Sequence, residues 1–158
     1  MADAYFCPVL HAHLPYVKDQ NEKELAETWL YEAISESYIP LYKVMDNLIK
    51  NDVDFRLTLS ISPTLMEMLT DKTLQNRYLK YLQRSIRLGE RELKRTENDR
   101  SKNKLAQLYL KLNKENYNIF HNKFNDNILN AFKNIYEKGY IEIITTAATH
   151  AYLPLIYT

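Results

Sequence analysis

Residues 54–63, with the sequence DFRLTLSISP, contain the pattern that decides the fold. Apolar and polar side chains alternate from position 55 to position 61, and a period of two residues is typical of a β-strand. Ser62 then supplies an N-cap residue, and Pro63 suits the first position of a helix. We therefore predict a strand over residues 54–61 that leads directly into a helix, the repeating step of a parallel α/β fold.

Two further strands are predicted on either side of this one. Residues 4–10 (AYFCPVL) carry aromatic and β-branched side chains and almost no charge, which favours an interior strand buried on both faces. Residues 140–146 (YIEIITT) alternate and then become apolar. Cys7 lies in the first of these strands, where a buried thiol in a reducing compartment is expected. The order strand, helices, strand, helices, strand predicts an α/β fold with a parallel sheet and right-handed crossovers.

The segments between the strands have the apolar spacing of helices. Residues 22–50 are interpreted as two helical pieces joined near Ile39, because Pro40 disfavours a helix interior. Residues 74–138 are predicted to form a helical hairpin. Its arms span residues 74–96 and 104–138, with the polar stretch TENDRSKNK as the turn and Gly139 as the residue that ends the second arm.

Composition limits the possible functions. The 158 residues are 46% hydrophobic and 26% charged, with a formal net charge of +1, which argues against disorder and against a large basic surface for nucleic acid or anionic membranes. No apolar run approaches the roughly 20 residues that a membrane span needs, and no secretory signal is evident, so a cytoplasmic protein is expected. The chain has two glycines, too few for the common glycine-rich phosphate-binding loops.

Three histidines fall at predicted strand ends, where α/β folds collect their functional groups. His11 and His13 follow the first strand, and His150 follows the third. Imidazoles at such a position could bind sugar hydroxyls, or they could hold a metal ion as three nitrogen ligands with one open position. They could also simply cap the strands. His121, by contrast, is expected to be a solvated residue of the long helix.

Other candidate residues are aromatic or acidic. Tyr16 and Trp29 lie near the first histidine motif, and their rings could stack on sugars or pack in the core. The same alternatives apply to four further tyrosines, Tyr31, Tyr38, Tyr152 and Tyr157. Glu32 and Glu36 share a helix face, which is most often solvated.

Four segments taken together resemble glycoside hydrolase family 57, and most closely its α-1,4-glucan branching enzyme subgroup. They are HAHLPY (residues 11–16), EAISESYIPL (32–41), LTLSISPTLMEM (57–68) and EIITTAATHAYLPL (142–155). The resemblance follows the chain in order over nearly its whole length. HAHLPY and TTAATHAYLP are its most specific parts.

The resemblance implies a cytoplasmic enzyme of α-glucan and glycogen metabolism that needs no cofactor and no metal. Residues 1–158 would form the first three units of an incomplete (β/α)7 barrel, with the helical hairpin between strands two and three. The substrate would be an α-glucan such as amylose, glycogen or a maltooligosaccharide. His11, His13 and His150 would line the sugar subsite as hydrogen-bond donors. Tyr16 and Trp29 are predicted to bind the substrate as well, because aromatic rings stack on sugars.

The family's retaining mechanism needs a glutamate nucleophile and an aspartate acid about 5 to 5.5 Å apart. The resemblance places both beyond Thr158, so this chain alone is predicted to be inactive, with the missing C-terminal part of the enzyme as a candidate partner. The exposed edge of the third strand is then expected to favour aggregation or pairing. Two alternatives stay open: a metal-dependent hydrolase with His11, His13 and His150 as ligands, and a glucan-binding remnant without catalysis.

Overall fold

The computed structural model describes residue 4 and residues 6–19, 25–144 and 146–156. These residues form three strands, β1 (Val9–Ala12), β2 (Leu57–Ile61) and β3 (Ile141–Ile144). Six α-helices accompany them in the described part of the chain: α1 (Ala26–Ala33), α2 (Ile39–Lys50), α3 (Pro63–Thr70), α4 (Lys72–Arg95), α5 (Arg100–Asn118) and α6 (Ile128–Glu137). The predicted alternation of strands and helices is confirmed.

The three strands form a parallel sheet in the order β1, β2, β3. Because β2 pairs with both neighbours, β1 and β3 each have one edge without a neighbouring strand among the described residues. In register, His11 of β1 lies beside Ser60 of β2, and Ser60 lies beside Ile144 of β3. The carboxyl ends of all three strands therefore meet at one edge of the sheet.

The prediction of an interior first strand over residues 4–10 is wrong in both position and burial. The strand begins at Val9, and Val9, Leu10 and His11 are exposed. Cys7 is also exposed rather than buried. Pro8 lacks an N–H for a strand ladder, so regular pairing begins after it, although its carbonyl accepts a hydrogen bond from the Thr58 N–H.

The first helical segment is continuous through its proline. A π-helical turn (Ile34–Tyr38) joins α1 directly to α2, and the Ile39 N–H bonds back to the Ile34 carbonyl. Pro40 lies in the first turn of α2 and has no N–H to donate to the preceding π-helical turn, whose Ser35 carbonyl accepts a hydrogen bond from the Asn116 side-chain amide. The predicted junction near Ile39 is thus a change of helical pitch.

The prediction of one long helix over residues 104–138 is wrong. After α5, a π-helical turn (Ile119–Lys123) has Phe124 as its C-cap, and the helix is interrupted there before α6 begins. Asn125 and Asp126 have positive φ angles of 51° and 63°, a conformation that Asn and Asp tolerate better than most residues. Asn127 then caps α6 by accepting a hydrogen bond from the Leu129 N–H. The apolar spacing continues across this break because Phe124 and Ile128 are both buried, so the pattern alone could not reveal it.

The hairpin turn is shorter than predicted, since α5 begins at Arg100 with Asp99 as its cap. Gly139 follows α6 with a φ of 78°, which confirms its predicted role at the helix end. In the described part of the chain, no helix is both long and apolar enough to cross a membrane.

The core lies between the sheet and the helices. Leu59, Ile61 and Ile141 point from the strands toward buried side chains of α3 and α6, among them Leu65 and Ile128. Because side chains alternate along a strand, the next residues point to the opposite face of the sheet. That opposite face, which includes His11, is where the candidate site begins.

Candidate functional site

The structure brings the three strand-end histidines together. His11 lies in β1, His13 follows the end of that strand, and His150 lies in the segment after β3. The ring centroid of His150 is 4.6 Å from that of His11 and 4.1 Å from that of His13, while His11 and His13 are 6.2 Å apart. Residues 139 positions apart in the chain are thus neighbours at the carboxyl edge of the sheet.

His11 and His150 form a pair. Their Nε2 atoms are 3.2 Å apart, so one ring donates an N–H and the other accepts the hydrogen bond. The Nδ1 atom of His150 is also 3.2 Å from the hydroxyl oxygen of Thr146. His150 has a positive φ of 56°, and its N–H bonds to the Ala147 carbonyl at 2.9 Å, so a local turn directs the ring toward β1.

The Nδ1 atom of His13 contacts a chain of hydroxyl groups. It lies 2.8 Å from the Oγ atom of Ser62, a residue with no exposed surface. Ser62 Oγ is 3.2 Å from Thr64 Oγ1, which donates to the carbonyl oxygen of Leu14 at 3.2 Å. Ser62 occupies the N-cap position of α3 as predicted, but its side chain makes no cap hydrogen bond and contacts His13 instead.

Burial lowers the pKa of the His13 imidazole from its ordinary value, and the nearby charges of His150 and His11 lower it further. The neutral form of His13 is therefore favoured near neutral pH. A neutral imidazole offers one N–H donor and one acceptor nitrogen, which suits it to a sugar hydroxyl.

Glu142 is a residue of this face that sequence reasoning did not select. In register it pairs with Thr58, whose hydroxyl lies 3.4 Å from its carboxylate. Strand alternation places Glu142 and Thr58 on the same face of the sheet as His11 and Ser60. The period of two in residues 140–146 was the signal that could have assigned it to this face.

Tyr16 and Trp29 are not brought into contact with the histidines. Both are more than half exposed, with Tyr16 in the segment after β1 and Trp29 on α1. In the described part of the chain, no hydrogen bond or ring contact joins either of them to His11, His13 or His150.

The other candidates lie elsewhere. Tyr31 is buried and donates to Glu27, while burial raises the pKa of Tyr38 to about 12. Tyr152 is exposed, and Tyr157 lies outside the described residues. Glu32 and Glu36 are exposed as expected. His121 is also exposed, and its Nδ1 atom lies 2.9 Å from a carboxylate oxygen of Asp126.

The three histidine rings do not have the geometry of a metal-coordination site. Their planes are within 17° to 29° of one another, so they stack. The lone pair of an imidazole nitrogen lies in the plane of its ring, and near-parallel rings do not aim three lone pairs at one point. Among the described residues, no group of three or more His, Cys, Asp or Glu side chains could hold a metal ion.

A cavity of about 210 Å³ lies between the sheet and the helices, and His11 is part of its wall. The rest of its lining is almost entirely apolar, with Tyr38, Leu41 and Phe132 among the larger side chains. Such a lining offers few partners for sugar hydroxyls, so the histidine face is the better candidate site.

Comparison with known proteins assigns the chain to a family. Residues 8–158 match the model of glycosyl hydrolase family 57. The 1,4-α-glucan branching enzyme of Thermococcus kodakarensis is 34% identical over 152 residues, which cover 96% of this chain and 22% of that enzyme.

Solved structures agree with this assignment. The α-amylase AmyC from Thermotoga maritima superposes with a TM-score of 0.87 at 43% identity, over 94% of this chain and 28% of that one. The family 57 branching enzyme from Pyrococcus horikoshii gives a TM-score of 0.90 at 36% identity, over 98% of this chain and 29% of that one. The chain thus spans less than a third of the length of each of these relatives, and it belongs to glycosyl hydrolase family 57.

Proposed function

We propose that this chain supplies the sugar-contacting histidines of an α-glucan-active retaining enzyme. The observation that supports the proposal best is the convergence of His11, His13 and His150 at the carboxyl edge of a parallel sheet, where α/β folds bind their substrates. Three adjacent imidazoles offer several hydrogen-bond donors and acceptors to one sugar ring. The exposed rings of Tyr16 and Trp29 are proposed to stack on sugar rings of the same glucan.

The reaction is proposed from the relatives. Two of those compared are named branching enzymes and one an α-amylase, and the amylase has the highest sequence identity of the three. We propose transfer of an α-1,4-glucan segment to a glucan 6-hydroxyl as the reaction, with transfer to water as the alternative. Amylose, glycogen and maltooligosaccharides are the proposed glucans, and the cytoplasm is the proposed location.

The catalytic carboxyl groups are proposed to lie outside these residues. Residues 1–158 would be the first three units of a (β/α)7-barrel domain, with the hairpin of α4 and α5 between β2 and β3. The chain covers 22% to 29% of the relatives' lengths, which leaves ample sequence for a nucleophile and an acid. On this proposal, the chain alone binds glucan without turning it over, and the rest of the enzyme is its natural partner.

Glucan binding can be tested by titrating the chain with maltoheptaose while the histidine ring protons are followed by NMR. We expect the signals of His11, His13 and His150 to shift and that of His121 to stay unchanged, because His121 contacts Asp126 and Tyr117 and is not part of the histidine cluster. The β-linked sugar cellohexaose is the control ligand. Equal shifts with both sugars, or no histidine shift with maltoheptaose, would refute the proposed site.

A pair of matched variants distinguishes a loss of glucan binding at the site from a general effect of losing a histidine. His13→Ala should weaken maltoheptaose binding by at least about tenfold, the equivalent of about 1.4 kcal/mol. His121→Ala should leave the affinity unchanged. Purified chain incubated with amylose should give neither new branch points nor reducing ends, and a turnover that His11→Ala abolishes would overturn the proposed inactivity.

The alternative function from the sequence is a metal-dependent hydrolase with His11, His13 and His150 as ligands. This alternative predicts that elemental analysis of the purified chain finds stoichiometric zinc or another divalent metal. Removal of the metal should then shift the NMR signals of the histidine ring protons. The stacking of the three rings favours the sugar-binding proposal over this one.

A further inference from the structure

We propose that Ser62 and Thr64 are positioning residues that hold His13 with its proton on Nδ1, so that Nε2 presents an acceptor lone pair to the bound sugar. The tautomer assignment follows from the hydrogen-bond geometry alone. The statement about the sugar rests on the proposed function. No feature of the sequence pattern suggests this role, since Ser62 was expected to cap a helix.

The assignment begins at the end of the chain of hydroxyl groups. The carbonyl oxygen of Leu14 can only accept, so Thr64 donates its single hydroxyl proton to it. Thr64 Oγ1 then has only lone pairs to offer to its other neighbour, Ser62 Oγ, at 3.2 Å. Ser62 must therefore be the donor in that contact.

The same reasoning fixes His13. A serine hydroxyl has one proton, and Ser62 uses it toward Thr64. The 2.8 Å contact between Ser62 Oγ and His13 Nδ1 therefore requires the proton on the imidazole nitrogen. A neutral imidazole has a single N–H, so Nε2 of His13 is left as an acceptor.

The surroundings make this arrangement rigid. Ser62 has no exposed surface, so water does not compete for its hydroxyl. Its N–H is fixed by a 3.0 Å bond to the Ala12 carbonyl at the end of β1, and Pro63 restricts the backbone between Ser62 and Thr64. Because α3 does not use the Ser62 hydroxyl as a cap, that group is available to His13.

This arrangement gives His13 a role different from the donor role that the family resemblance implied. A sugar hydroxyl would donate to Nε2 of His13, while the pair formed by His11 and His150 contributes its own donors and acceptors. Burial and the two neighbouring imidazoles favour the neutral form of His13, which agrees with an acceptor role. Ser62 thereby links the start of α3 to the sugar subsite.

The tautomer can be measured directly in the whole chain by long-range ¹H–¹⁵N NMR of the histidine rings above pH 7. We expect His13 to be protonated at Nδ1 in the unmodified protein. Ser62→Ala removes the acceptor and should return His13 to a mixture rich in the Nε2 tautomer. Ser35→Ala, which removes a part-buried hydroxyl that lies 2.8 Å from the hydroxyl of Tyr78, should have no effect on the tautomer of His13.

Thr64→Val gives a second, sharper test. It removes the acceptor of the Ser62 proton while leaving Ser62 in place, so Ser62 is free to donate to Nδ1 and the Nε2 tautomer of His13 should gain population. This variant keeps a β-branched side chain of similar volume, so it decides the question even if Ser62→Ala does not fold. Wild-type His13 protonated at Nε2, or an unchanged tautomer in both variants, would overturn the proposal.

Binding separates this inference from the proposed function. In the NMR titration with maltoheptaose, Ser62→Ala should raise the Kd about tenfold, and Ser35→Ala should leave it unchanged. If the unmodified chain has the Nδ1 tautomer but binds no maltoheptaose, the proposed function fails while the positioning of His13 stands. If maltoheptaose binds equally well to both serine variants, the acceptor role toward sugar is refuted.

Discussion

The Glu27 carboxylate on α1 contacts the Arg77 guanidinium on α4 across 50 residues of sequence, with Oε1 and Nη1 2.5 Å apart. Both side chains are nearly buried, at 6% and 12% exposure. The Tyr31 hydroxyl donates to the second carboxylate oxygen at 2.7 Å, and the Asp19 N–H donates to the first at 2.8 Å. This cluster therefore ties the first helix, the hairpin and the segment after β1 together.

Removing the charge of Glu27 is expected to destabilise the fold strongly. Glu27→Gln keeps the shape but takes a buried carboxylate away from Arg77, and breaking such pairs typically costs about 3 kcal/mol or more. Urea unfolding monitored by circular dichroism measures the loss. Glu115→Gln is the control, because Glu115 and its partner Lys43 are both more than a third exposed, and it should give no measurable change. Equal effects of the two substitutions would contradict the importance of the buried cluster.

The hairpin arms pack closely at Gly89 of α4 and Leu110 of α5. A Cβ atom at this position would lie 3.1 Å from Cβ and 3.4 Å from Cα of Leu110, so there is little room for a side chain. Gly89→Ala gains about 1 kcal/mol of helix propensity but crowds α5, which typically costs about 1 to 3 kcal/mol. We expect a net loss of stability. The loss should shrink in a Leu110→Ala background, and an increase in melting temperature from Gly89→Ala alone would show that the helices separate easily.

Charge is unevenly distributed along the chain despite the net charge of +1. Residues 72–118 contain 13 Lys and Arg against five Asp and Glu. On α4, Arg84, Arg87, Arg91 and Lys94 follow one another at spacings of three and four residues and are all exposed. Like charges at such spacings repel by about 0.2 to 0.5 kcal/mol per pair.

Arg91→Glu should therefore stabilise the hairpin, because it replaces repulsion from Arg87 and Lys94 with attraction. The expected gain is about 0.5 to 1 kcal/mol at low salt. Thermal melts at low and at 1 M NaCl measure it, and high salt should remove most of the difference because the charges are screened. Arg91→Gln should give roughly half of the effect. A gain that persists in full at 1 M NaCl would point to a cause other than charge.

Asp71 is expected to make the stability of the fold depend on pH in the acidic range. Burial alone would raise the pKa of its carboxyl, but the ammonium of Lys18 at 2.6 Å and the N–H of Leu74 at 3.0 Å outweigh it and hold the pKa below its usual value of 3.8. A group with a lowered pKa in the folded state contributes stability above its unfolded pKa, and this contribution is lost as the pH falls through the folded value.

Asp71→Asn isolates this contribution, because asparagine is also a good N-cap and keeps an acceptor for the Leu74 N–H. We expect the variant to be less stable than the unmodified chain at pH 7, and the difference to narrow below pH 3.8 as the pH falls through the lowered pKa of folded Asp71. Urea midpoints measured from pH 7 to pH 2 test this. A stability difference that does not narrow with acid would refute the role of the charge.

The alternation in residues 54–61 and the proline after Ser62 determined much of the fold. The central strand, the helix after it and the parallel order of the sheet follow from side-chain period and chain order, which are local properties. The three histidines at strand ends follow from the same reasoning, because the carboxyl ends of parallel strands share one edge.

Other features depend on contacts between distant residues. The burial of a strand depends on its neighbours, so the exposure of β1 and of Cys7 could not be inferred from their apolar composition. The break at Asn125 and Asp126 was hidden because the apolar face continues across it.

The chemistry of His13 also belongs to the tertiary structure. The sequence placed a serine at a helix start, where its hydroxyl ordinarily accepts a backbone hydrogen bond. Only the pairing of β1 with β2 brings that hydroxyl within 2.8 Å of an imidazole that lies 49 positions away in the chain. Local sequence therefore determined which residues reach the edge of the sheet, and tertiary packing decided which atoms of those residues face the site.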